Sequence, residues 1–125
     1  MGIRRPTEIV NAYIEAYNAH DDEAMIALCD ENVFVIHHNR DLLARGKAEY
    51  RDMLRKYRGL MPNKHFSNRR GFYVDGEHVI VEHTWYGTSL EDVPGLAKKG
   101  DPRAVDLCTC FTVRDGMIVA YHDYG

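Results

Sequence analysis

The stretch VNAYIEAYNAHDDEAMIALCDENVFVIHH, residues Val10–His38, gathers side chains that can move protons. Tyr13 and Tyr17 stand one helical turn apart, and His37 and His38 close an apolar run. A histidine there is costly to bury unless something pairs with it. Its ordinary pKa of about 6.5 also suits it to act as a general base near neutral pH. A carboxylate beside such a ring favours the imidazolium, whereas burial favours the neutral form. Cys108 and Cys110 place two thiols on one side of a strand, but a zinc site needs about four ligands, and Cys29 has no matching spacing. Neither a metal nor a cofactor is expected.

Periodicity gives the elements that must hold these groups. Ile9, Val10, Tyr13, Ala16 and Tyr17 make one helical stripe opposite Glu8, Asn11 and Glu15, predicting a helix from about Thr7 to Ala19. Asp21 can cap a second, short helix with Met25, Leu28 and Cys29 inward. Asn32–His38 is β-branched and aromatic and reads as a strand. Gly46 opens a third helix that buries Tyr50, Met53, Leu54 and Tyr57 and stops at Gly59. The second half reads as four long strands, Lys64–Val74, Glu77–Leu90, Arg103–Arg114 and Met117–Tyr124. Asp75-Gly76 and Asp115-Gly116 predict hairpins with positive φ at both central residues, and EDVPGLAKKGDP is a longer loop. Helices followed by an antiparallel meander make an α+β domain, whose long twisted sheet curls around the helices and leaves a hollow.

The totals narrow the classes further. A chain of 125 residues with 45% apolar and 28% charged side chains is ordinary globular material. A net charge of -3 with mixed signs gives no footprint for nucleic acid or an anionic membrane. No apolar run approaches the ~20 residues of a membrane span, and MGIRRPTEIV lacks the apolar core of a secretory signal. Three cysteines argue against a disulfide framework, so a cytoplasmic protein with reduced thiols is expected.

The order of elements, with YIEAYNAHDDEAMIALCDENV, HVIVEHTWYGTSL and FTVRDGMIVAYHDYG, resembles the nuclear-transport-factor-2-like superfamily, in particular its SnoaL-like branch. That branch is similar to polyketide cyclases, ketosteroid isomerases, limonene-epoxide hydrolases and scytalone dehydratases. The resemblance covers nearly the whole chain and implies one domain over residues 1–125. It implies a cone of three N-terminal helices on a strongly curved, mostly antiparallel sheet, a mostly apolar pocket between them, and usually a homodimer. It also implies strand parity: Val79, Val81, His83 and Trp85 face the pocket, with Leu107, Thr109 and Phe111, then Val119, Tyr121 and Asp123.

Matched to the isomerase pattern, Tyr13 falls at an oxyanion-stabilising tyrosine and His37 at the proton-shuttling carboxylate. Thr109 replaces a protonated aspartate, so steroid isomerisation itself is not expected. In the epoxide-hydrolase pattern Asp123 matches a carboxylate near the pocket mouth, while His83 and Trp85 replace the arginine and aspartate that water activation needs. In the dehydratase pattern NKHFSNRRGFYVDGEHV puts His65 at the histidine of a dyad whose aspartate is replaced by Asn18.

The resemblance thus implies an enzyme that moves a proton on a small apolar or polycyclic ligand by isomerisation, dehydration or cyclisation. His37 is the expected base, Tyr13 the donor to a developing oxyanion, and Asp123 or His83 the partner that sets protonation. Tyr17, His65, Trp85, Thr109, Phe111 and Tyr121 are expected to line the pocket. The alternative is a non-catalytic ligand-binding or dimerisation module. His38 and His122 are expected to face outward, and Ile80, Thr84, Tyr86, Cys108, Cys110 and Ile118 to form a convex face too apolar to stay wet. A two-fold homodimer through that face is the expectation.

Overall fold

The computed structural model describes residues 4–125. Helix α1 spans Pro6–Asn18, with proline in its first turn, where no N–H is missed. It buries Ile9, Val10, Tyr13, Ile14 and Ala16. Asp21 caps α2 (Asp22–Ala27) by accepting from the Ala24 N–H at 3.1 Å. Strand β1 (Cys29–His37) begins earlier than its β-branched core, and a short 3-10 turn, His38–Arg40, follows it. Then come β2 (Leu42–Arg45) and α3 (Gly46–Leu60). The remaining chain is β3 (His65–Asp75), β4 (His78–Thr88), β5 (Pro102–Arg114) and β6 (Met117–Tyr124).

The strands form one open, curved sheet in the order β2-β1-β6-β5-β4-β3. All neighbours are antiparallel except β1 and β6, which run parallel. The α+β cone inferred from the sequence is the fold observed, with the helices on the concave face. The core fills the contact between α1, α3 and the sheet, and includes Val10, Val33, Val35, Val79 and Val81, each 0% exposed.

Several details depart from the sequence reading. Gly59 does not stop α3, which continues to Leu60 and caps at Met61. The strand β2 is too short and mixed in polarity to stand out by composition. The two Asp-Gly junctions differ. Asp115 and Gly116 both adopt positive φ (53° and 75°), as a type I′ turn requires. In the other, Asp75 still pairs with His78, so Gly76 leads the turn and carries the positive φ alone.

Parity in β6 also breaks. A register shift between Thr112 and Val113 turns Ile118 inward, 0% exposed, and leaves Val119 only half-buried. Ile118 therefore leaves the convex face, and alternation resumes with Tyr121 and Asp123 inward.

Candidate functional site

Between the helices and the sheet lies a cavity with about 670 Å³ of atom-free space, including its open mouth. The cavity has room for a small organic ligand. Helix α3 and its end supply Tyr50, Met53, Leu54, Tyr57 and Met61, and the sheet supplies Trp85, Val105, Leu107, Tyr121 and Asp123. Tyr13, Tyr17 and His37 complete the chemically interesting wall.

His37 and Asp123 are partners in the parallel register of β1 and β6, so their side chains rise from the same face at the same level. The His37 Nδ1 is 2.9 Å from Asp123 Oδ2, with His37 about a quarter exposed and the carboxylate buried. Thr109, opposite Asp123 on β5, donates to Oδ1 at 2.5 Å, and Tyr121 donates to Oδ2 at 2.7 Å. A carboxylate only accepts, so the shared hydrogen on His37 sits on Nδ1, and in the neutral ring Nε2 then carries the lone pair. Three strands thus lay His37, Asp123 and Thr109 in one row.

His83 extends that row from behind. Its Nε2 lies 2.8 Å from Thr109 Oγ1, and since that hydroxyl gives its hydrogen to Asp123, Nε2 donates to it. The ring is 2% exposed and stacks on Phe66 at 4.3 Å. Burial pushes its pKa down to about 4, against a smaller pull from Asp123, so it is neutral near pH 7. His83 and Thr109 support the carboxylate and do not line the cavity.

The tyrosines form a second polar group. Tyr13 and Tyr50 share a buried hydrogen bond between their hydroxyls. Burial raises the pKa of both well above the usual phenol range, so they remain donors. Phe111 is behind the wall, edge-on to Tyr13 at 5.4 Å and to Tyr121 at 5.1 Å. Trp85 donates from Nε1 to the Tyr17 hydroxyl at 2.9 Å. Its indole lies across Gly87, where an added Cβ would approach the ring to 2.6 Å.

His65 is outside this constellation. Phe66, 5% exposed, takes the inward position on β3, and alternation leaves His65 exposed and stacked on Tyr86 at 5.2 Å. Asn18 instead clamps the strand: it accepts from Phe66 N–H at 2.8 Å and donates to Phe66 O at 3.0 Å. A carboxylate could not make the second bond. His38 and His122 meet outside, with Nε2 and Nδ1 2.9 Å apart.

The sequence reading missed four polar residues of the wall, Tyr50, Tyr57, Arg40 and Lys64. Tyr50 was visible as part of an apolar helix stripe, but its pairing with Tyr13 was not. Arg40 and Lys64 carried no signal, because each is a single basic residue beside a turn. Among the described residues no group of three or more His, Cys, Asp or Glu is placed to hold a metal, and no helix is long and apolar enough to cross a membrane.

The fold has counterparts in known proteins. A proposed polyketide cyclase from Pseudomonas putida KT2440 is 27% identical, with a TM-score of 0.84 over 98% of this chain and 92% of its own. A second proposed polyketide cyclase, from Xanthomonas campestris, is 25% identical, with a TM-score of 0.84 over 98% and 91%. A protein with a ketosteroid isomerase-like fold from Catenulispora acidiphila, in complex with trimethylamine, is 22% identical, with a TM-score of 0.79 over 94% and 85%, a likeness of fold alone. No curated protein matches the sequence. The model of the SnoaL-like domain matches residues 10–121, and the chain belongs to that family.

Proposed function

We propose that this chain is a cofactor-independent proton-transfer enzyme acting on a small organic molecule held in the cone. His37 Nε2 removes a proton from a carbon next to a carbonyl, and the electron pair moves onto the carbonyl oxygen. The Tyr13–Tyr50 pair donates a hydrogen bond to that oxyanion, and Asp123 stabilises the imidazolium. Return of the proton to another carbon completes an isomerisation, and return to a departing hydroxyl completes a dehydration. The observation that carries this reading is the 2.9 Å approach of His37 Nδ1 to a buried carboxylate held from both sides. The two relatives described as proposed polyketide cyclases support it, since cyclisation of such chains begins with carbanion chemistry of this kind.

Exchange of α-protons of small aryl ketones in D₂O, followed by NMR, tests the reading. The wild-type chain is expected to accelerate exchange, and His37→Ala to lose about 10²–10⁴ of that rate. Equal rates for the two proteins overturn it. Tight binding with no exchange by the wild type favours a ligand carrier instead.

Pairing of two copies across the convex face belongs to the same proposal. Half-buried Ile80, Tyr86, Cys108 and Cys110 lie there, and sedimentation that returns a monomer at micromolar concentration would remove it.

A further inference from the structure

Lys64 lies between α3 and β3 and lines the cavity, yet only 6% of it is exposed. Its backbone is fixed on both sides: its N–H donates to Met61 O at 3.2 Å, and its carbonyl accepts from His20 Nε2 at 3.0 Å. The side chain is therefore aimed by the main chain. Its ammonium stands over the Tyr17 ring, 4.0 Å from the centroid, and makes no hydrogen bond or ion pair with any described residue.

An aromatic face attracts a cation but leaves its three N–H donors unused. The carboxylate that pulls on this amine, Asp22, is already engaged by Arg58 through bonds of 2.8 and 2.5 Å. Arg58 opposes that pull, and burial dominates, bringing the amine down to about 8. Asp123, the carboxylate of the cavity, is satisfied by Thr109, Tyr121 and His37. Arg40 adds a second basic group to the wall. A buried cation is normally paired or made neutral. Here no described side chain brings an anion within bonding distance of the ammonium, and Lys64 lines the cavity in which a ligand would lie.

Resting on the reading of this cone as a ligand site, we infer that Lys64 is the recognition group for an anionic oxygen of the ligand, a carboxylate or an ionised phenol or enol. The ammonium holds that oxygen at one end of the cavity, and the apolar wall of α3 takes the carbon skeleton.

The test compares 2-naphthoate with neutral 2-naphthamide by calorimetry at about pH 7 on the full chain. The wild type is expected to prefer the carboxylate by about tenfold or more, the scale of one charge-assisted hydrogen bond. Lys64→Met abolishes the preference while the amide still binds, and Lys64→Arg keeps it. Tyr17, His20, Asp22 and Arg58 are the titratable neighbours, so the wild-type preference declines as pH rises past about 8, where the amine loses its charge. If Lys64→Met does not fold, this pH series decides. Equal affinity for the two probes, or a preference that survives in Lys64→Met or persists unchanged to pH 10, overturns the inference and leaves the cavity reading standing. Failure of both probes to bind overturns both.

Discussion

His37 on β1 and Asp123 on β6 stand opposite each other in a parallel register, with Nδ1 and Oδ2 2.9 Å apart. The carboxylate selects the ring tautomer, so its removal acts through a different atom from the one that touches substrate. In Asp123→Asn the amide can donate to Nδ1 and shift the hydrogen to Nε2, which disables the base. The expected outcome is a change in the His37 ¹⁵N pattern from the Nδ1–H form, with exchange slower by about 10²–10⁴. An unchanged tautomer would show that the carboxylate does not set it.

Tyr13 and Tyr50 share one buried hydrogen bond, so their contributions are not independent. Tyr13→Phe and Tyr50→Phe should each cost about 1 kcal/mol in urea denaturation. The double variant should cost less than the sum, because the bond can be lost only once. Additive costs would mean that the hydroxyls act separately.

Gly87 leaves space for the Trp85 indole, which donates to Tyr17 across the cavity wall. Gly87→Ala should destabilise by about 1–3 kcal/mol and shift the fluorescence of the single tryptophan as the ring is displaced. A silent substitution would mean that the ring has room to move.

His83 makes stability depend on pH. Its pKa is about 4 in the folded chain, below its ordinary value of 6.5, so between these pH values the unfolded chain binds more protons. Stability from this group is therefore complete above about pH 6.5 and falls as pH drops toward 4, by on the order of 2 kcal/mol. Denaturation at pH 7.5 and 4.5 should show a smaller drop for His83→Gln than for the wild type. Equal drops would assign the acid loss to other groups.

The elements legible in the sequence were those written in local chemistry. The stripe of α1, the Asp21 cap and the Asp115-Gly116 turn each depend on neighbours in the chain, and each appears where the pattern put it. Long-range choices were less legible. Nothing local states that β1 joins β6 in parallel, although this pairing alone brings His37 to Asp123. The inward turn of Ile118 follows from a bulge beside the hairpin, which period-two counting cannot see. Asn18 read as a lost catalytic aspartate until its two bonds to Phe66 gave the amide a reason of its own. Lys64 was hidden because a lone lysine near a turn looks solvated, and only the fold puts it under a roof.

The parallel pairing of β1 with β6 also bears on how the chain finds its shape. One strand comes early in the sequence and the other late, so their union closes a long loop and depends on contacts remote along the chain. Such closures are slow relative to hairpins and helices. The meander β3–β4–β5 can assemble from neighbours, while the reactive pair must await this distant docking, making competence a late event of folding.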